Sequence, residues 1–356
     1  MRRLAAVVSL GMLATGCYEG VAPGGGDEDS FRKMVVNSTE LQGPGLVLQG
    51  NGLVLQGNGL VLQGNGLVLQ GNGLVLQGVT MQGNGLVLQG NGLVLQGVEL
   101  DGTLISATAT RDGQSAEVSG LDFVGTEFDL HYESVVNGEA VVEDLVLRID
   151  DIEPSVDQAD VFIYHLTYRA KDSDQWLPYC GDDQVGAIPF SGYWDSTADY
   201  VENKDVLTFG CTNAVLAKCV LWGYRPWAEV ETCEVKKGWG KKKKHCEDVE
   251  LRDYHQACTR MARADYCGDG TPHTVTGTQI DIADGLNPQI SWRATNWPVE
   301  AEWNPDGAYC MNFLRHPELY TYPKCFLDKK GKPKKYKDCG SMKNGRSLLL
   351  DAFKAP

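Results

Sequence analysis

Leu251-Arg252-Asp253-Tyr254-His255-Gln256-Ala257-Cys258-Thr259-Arg260-Met261-Ala262-Arg263-Ala264, followed by Asp265-Tyr266-Cys267-Gly268-Asp269-Gly270, is the stretch from which the rest of the chain can be read. Leu251, Tyr254, Cys258 and Met261 recur at helical spacing, while Arg252, Arg260 and Arg263 fall mostly elsewhere. That pattern predicts an amphipathic helix over 251–264 with Cys258 turned to the core. A core-facing Cys predicts a structural disulfide, because a reactive thiol wants exposure and a depressed pKa. Gly268-Asp269-Gly270 supplies the turn that follows.

Moving outward, Cys258 is one of 11 cysteines. Cys180, Cys211, Cys219, Cys233, Cys246, Cys258, Cys267, Cys310, Cys325 and Cys339 all lie after residue 179, and Cys17 stands alone near the N-terminus. Before Cys17 come Arg2-Arg3, an apolar run from Leu4 to Leu13 broken by Ser9 and Gly11, and the small residues Ala14, Thr15 and Gly16. The run is too short to span a bilayer. Residues 1–16 resemble a bacterial lipoprotein signal peptide, which implies acylation of Cys17 and a membrane partner held through the lipid. By the sorting rules of such lipoproteins, Tyr18 implies an outer-membrane or cell-surface location. In an exported chain the ten other cysteines predict five disulfides, with about 945 pairings open. The flanking pairs Cys233/Cys246 and Cys325/Cys339 are each expected to close a loop of their own.

Residues 17–42 read as a glycine-rich, acidic tether. From Gly43 to Asp101 the chain repeats GNGLVLQ and its variants, seven units of seven residues and two of five. Two glycines per unit rule out a coiled coil, while Leu-Val-Leu has the period of a strand and Asn-Gly is a strong turn signal. The block is therefore a β arm, either a solenoid with Leu inside or an antiparallel meander, with self-association as a further outcome. It holds no ionisable side chain between Gly43 and Gly97, which excludes acid–base chemistry there.

The remainder, 102–356, is expected to be one disulfide-bonded α+β domain with two or more helices. Its first part, 102–200, is β-rich. Glu117–Ser119, Phe128–Tyr132, Leu145–Ile149 and Val161–Tyr168 predict strands, with turns at Asp112-Gly113 and Asn137-Gly138. In the Cys-rich part, 201–356, Asn213 to Trp222 predicts a buried helix capped by Thr212.

Around the opening stretch further residues fall into a pattern: Phe209-Gly210-Cys211-Thr212, Ala217-Lys218-Cys219-Val220, Trp222-Gly223-Tyr224-Arg225-Pro226-Trp227, His255 to Arg260, Arg263 to Gly270, Gly277 to Asp281, Glu300-Ala301-Glu302-Trp303 and Asp306 to Cys310. Together they resemble the ADYC domain, named for the tetrad at Ala264 to Cys267 and known mainly from predicted lipoproteins of myxobacteria. The resemblance covers roughly residues 100–320 and implies no established activity. The lysine-rich insertion between Trp227 and Leu251 and the tail after Arg315 depart from the pattern.

The net charge of -15 argues against a dedicated nucleic-acid binder. Lys236, Lys237, Lys241, Lys242, Lys243 and Lys244 form one cationic cluster, and Lys329, Lys330, Lys332, Lys334, Lys335 and Lys337 another, with Trp239 and Tyr336 among them. Both are candidate polyanion-binding segments, and an anionic glycan is the partner they suit. Other constellations compete. His255, Cys258, Cys267 and His273 match no common zinc spacing, and a Cys267–His nucleophile would leave another Cys unpaired. Asp265, Asp269, Asp281 and Asp284 lack the EF-hand pattern. Neither a metal nor a cofactor is expected. Glu300, Glu302 and Asp306 near Trp292, Trp297 and Trp303 would suit a glycosidase pair. The reading that follows is a cell-envelope lipoprotein with a structural or binding role, and the alternative is a hydrolase of envelope glycans.

Overall fold

The computed structural model describes residues 33–36, 86–88, 93–111, 114–136, 139–181, 184–195, 197–203, 207–238, 241–275, 277–342 and 345–354. The leader with Cys17, nearly all of the tether and most of the repeat arm lie outside the described residues, as do Asp112-Gly113, Asn137-Gly138 and Trp239.

The alternating segments build a ten-stranded antiparallel sheet. From edge to edge run Leu207–Cys211, Ala187–Ser191, Phe162–Ala170, Glu139–Pro154, Glu127–Val136, Leu86–Leu88, Leu93–Asp101, Leu104–Arg111 and Gln114–Ser119, with Leu177–Pro178 pairing beside Phe162–Ala170. Three of the strands expected from the sequence fall inside these longer ones, and the fourth, expected over Val161–Tyr168, begins one residue later at Phe162 and runs on to Ala170. Two repeat strands enter the sheet as an antiparallel pair, Leu86 opposite Leu95 and Leu88 opposite Leu93. Leu93–Asp101 then turns into Leu104–Arg111 through Gly102 at φ +60°. A Cβ there would sit 2.1 Å from the Asp160 carbonyl oxygen, so the close approach requires glycine.

Helix α1 (Val215–Leu221) is shorter than the expected 213–222 and starts at Ala214 without a side-chain cap. Thr212 spends its backbone N–H on the Gly186 carbonyl, and the chain turns from Cys211 to Ala214 before the helix begins. Leu216, Ala217 and Val220 pack with Val161, Ile188, Phe190 and Trp194 on the side of the large sheet. Helix α2 (Arg252–Arg263) matches the expected span, and the Cys219–Cys258 disulfide ties it to α1. It lies on a five-stranded antiparallel sheet in the order Lys33–Val36, Thr278–Asp284, Leu349–Phe353, Val299–Asn304 and Gly307–Met311. Cys258 and Met261 share a core with Ile280, Ala301, Trp303 and Leu349. The domain is thus β-rich with two helices, and its ten cysteines form five disulfides.

Two expectations are corrected. Arg260 and Arg263 are buried, because their heads are paired inside: Arg260 reaches Asp199, Asp265 and the carbonyls of Thr197 and Pro305, and Arg263 reaches the Gly270 carbonyl. Cys325 and Cys339 do not bond to each other. Cys325 pairs with Cys267 and Cys339 with Cys310, at Cα separations of 5.7 and 5.8 Å, because the fold delivers each to a different neighbour.

Candidate functional site

The Ala264–Cys267 tetrad carries structure at every position. Ala264 ends α2 in the left-handed region at φ 52°, fully buried. Asp265 accepts from Arg260 at 2.5 Å and from the N–H groups of Asp269 and Gly270, tying the helix end to the turn after it. Tyr266 stacks on Trp303 with centroids 5.3 Å apart, and its hydroxyl donates to Glu300 Oε1 at 2.8 Å. Cys267 is the disulfide partner of Cys325. Gly268 and Gly307 seal this corner. A Cβ on Gly268 would lie 1.9 Å from the Asp306 carbonyl oxygen, and one on Gly307 would lie 2.8 Å from the Gly268 nitrogen.

Behind the tetrad the carboxylates expected of a glycosidase are part of the interior. Glu300 and Glu302 are both 0% exposed. Glu300 Oε2 accepts from Arg315 Nε at 2.8 Å, and Arg315 also donates to Asp351 at 3.0 Å, to Thr274 and to the carbonyls of Met261 and Ala262. Burial, together with the nearby Glu300 carboxylate, pushes the Asp351 carboxyl well above the usual range. Burial also works against the Arg315 charge, but Glu300 and Asp351 outweigh it and hold the guanidinium protonated. Glu302 accepts from the N–H groups of Gly340 and Met342 and from the Ser347 hydroxyl. These two glutamates therefore serve separate structural networks, Trp303 is buried beside them, and exposed Asp306 lies in the turn after Asn304. They do not meet in an aromatic cleft.

The other constellations are dismantled in the same way. Cys258 and Cys267 are spent on disulfides. His255 donates through Nε2 to the Leu216 carbonyl, and burial pulls its pKa down to about 4; burial also lowers His273. Asp281 is satisfied by Ala294 and Thr295, and Asp284 by Leu286, Ser291 and Tyr224. Asp265 is held by Arg260, and Asp269 accepts from the Thr271 N–H in the turn that Asp265 caps, so these carboxylates serve turns and ion pairs of the fold.

The lysine segments remain, and they take different forms. The first lies in an antiparallel hairpin of Glu229–Gly238 with Lys241–Glu250, where Cys233 opposes Cys246, Lys236 opposes Lys243 and Lys237 opposes Lys242. The second has no hairpin of that length. Asp328 accepts from the N–H groups of Lys330 and Lys332 and closes a tight loop, Leu327 bridges Pro333, and Lys334 donates through Nζ to the Cys325 carbonyl. Lys329, Lys330, Lys332, Lys334, Lys335 and Lys337 are all exposed. Lys337 alone of these lines a cleft of about 430 Å³, together with Tyr309, Cys310, Tyr336, Asp338, Cys339 and Ser341. Tyr336 rests against Phe326 with centroids 5.8 Å apart, so the cleft wall is braced from the core. Tyr309 and Ser341 carry no sequence signal of their own; the Cys310–Cys339 bond, with the hydrogen bonds of Asn312 to Cys339 and of Gly340 and Met342 to Glu302, brings them to Tyr336 and Lys337.

Against known proteins, the ADYC domain family matches residues 120–317, more than half of the chain. No curated protein and no solved structure matches.

Proposed function

The chain belongs to the ADYC domain family, and on that premise we propose that it is a lipoprotein of the outer membrane or cell surface, anchored through Cys17, whose domain binds anionic polysaccharide without catalysing a reaction on it. The observation that carries this reading is the second lysine segment: six exposed lysines, of which Lys337 lines a cleft together with Tyr309 and Tyr336. A tyrosine face suits a sugar ring, and the lysines suit its carboxylate or sulfate. The segment is fastened by Cys267–Cys325 and Cys310–Cys339, so its backbone needs little ordering when a ligand arrives. The first cluster adds positive charge.

Binding to a polyuronate, with neutral dextran as control, tests this. Affinity should fall steeply as salt rises, and replacing Lys329, Lys330, Lys332, Lys334, Lys335 and Lys337 by Gln should weaken it by about tenfold or more and flatten the salt dependence. The equivalent replacement of Lys236, Lys237 and Lys241 to Lys244 should weaken it less. Equal binding of polyuronate and dextran, or full affinity after the second-segment replacement, removes the reading. Anchoring is tested separately: Cys17→Ala should abolish labelling by a clickable palmitate analogue, and surviving label would refute the lipid attachment.

A further inference from the structure

The hairpin of Glu229–Gly238 and Lys241–Glu250 is a two-stranded sheet of its own whose register sets like charge against like. Glu229 opposes Glu250, Glu231 opposes Asp248, Lys236 opposes Lys243 and Lys237 opposes Lys242. Directly opposed like charges destabilise a strand pair. The Cys233–Cys246 disulfide and the packing of Val230 and Val249 on the core therefore hold a pairing that its charges resist.

The outer edges of the two strands differ. On the first, the Cys233 N–H donates to the Asn287 carbonyl and the Asn287 side-chain amide donates to the Cys233 carbonyl, so that edge is occupied. No comparable backbone bond meets the outer edge of Lys241–Glu250 among the described residues, and Lys244, His245, Glu247, Asp248 and Glu250 are exposed. Since the Cys233 amide points away from its partner strand, Cys233 and Cys246 form a narrow, non-hydrogen-bonded pair with Cα atoms 4.0 Å apart. By alternation, the backbone groups of Lys242, Lys244, Cys246, Asp248 and Glu250 are the ones directed outward.

This strand also inverts its own charge, with Lys241 to Lys244 preceding Glu247, Asp248 and Glu250. We infer that a second copy of this chain pairs edge to edge and antiparallel on Lys241–Glu250, about a two-fold axis between the two Cys246 residues. A two-fold interface requires that if residue i meets residue j, then j meets i. Centred on Cys246, that rule sets Lys242 opposite Glu250, Lys244 opposite Asp248 and His245 opposite Glu247, each twice. The like-charged hairpins then join into one four-stranded sheet whose central seam is unlike-charged. The pairing stands independently of polysaccharide binding.

The test uses the full oxidised chain in sedimentation velocity. A dimer should be present at about 50 mM salt and dissociate toward about 0.5 M, as screening removes exposed ion pairs. The Lys242→Glu, Lys244→Glu variant and the Asp248→Lys, Glu250→Lys variant each make the seam like-charged, and each alone should self-associate about tenfold more weakly or worse. Mixed together they should recover association as a heterodimer, which also shows that both have folded. Zero-length carbodiimide coupling of isotopically heavy and light copies should link Lys244 of one copy to Asp248 of the other. A monomer at low salt overturns the inference, and so does a dimer that both variants preserve, since association would then run through another surface such as the repeat arm.

Discussion

The segment from Cys233 to Cys246 and the segment from Cys325 to Cys339 each hold six lysines between two cysteines, yet one is closed on itself and the other is fastened at its ends to two other parts of the domain. The difference comes from what surrounds the lysines. In the first, two ten-residue strands continue past the cysteines on both sides. Antiparallel register then makes Cys246 the residue facing Cys233. In the second, Gly331 and Pro333 break any strand, and the Asp328-capped loop sends the two ends apart. Lysines between cysteines define a charged surface, but the backbone outside the cysteines decides whether that surface is a self-contained hairpin or the wall of a cleft.

The largest effect that would break this comparison is on stability. The Cys267–Cys325 bond closes a separation of 58 residues, whereas Cys233–Cys246 closes 13. On the chain-entropy account, replacing both members of the first by Ala should cost about 4 kcal/mol, and both members of the second about 3 kcal/mol, measured by denaturant unfolding of the oxidised protein. The form of the loss should differ as well. Without Cys233–Cys246, amide exchange should rise in the hairpin while α2 stays protected; without Cys267–Cys325, protection should fall around the α2 terminus and the tetrad. If the hairpin disulfide proved the costlier to remove, the division between a local staple and a bond of the whole domain would be wrong.

The same division explains what was legible in the sequence. Helical spacing put Cys258 in the core, short runs of β-branched, aromatic and other apolar residues located the strands, and the even cysteine count gave the disulfides. These are signals of period or number within short windows. The Cys233–Cys246 bond was readable because it is a local pairing. Nothing local marks Cys339 as the partner of Cys310 or places Tyr309 against Tyr336, since both follow from strand order. For the same reason Glu300 and Glu302 suited a catalytic pair: Arg315, Asp351 and Ser347, which hold them inside, are remote in sequence. Arg260 and Arg263 suited a solvent face until Asp199 and the carbonyls of Pro305 and Gly270 arrived from elsewhere.

The smallest expected effect separates the two segments most cleanly, because it depends on register alone. Lys243 opposes Lys236 within the hairpin, and in the two-fold pairing it faces Val249 of the second copy, outside the Lys–acid contacts of that seam. Lys243→Glu would turn one like-charged pair into an unlike one, so it should raise stability by roughly 0.2–1 kcal/mol at low salt, with the gain shrinking as salt screens it. Lys332→Glu, on the exposed loop capped by Asp328, has no opposed lysine and should leave stability within about 0.5 kcal/mol of the parent. Thermal melts of the parent and both variants at two salt concentrations read the difference. A Lys243→Glu protein no more stable than its parent at low salt would mean that the opposed lysines cost the hairpin nothing, and the disulfide and core packing would not be holding a pairing that its charges resist.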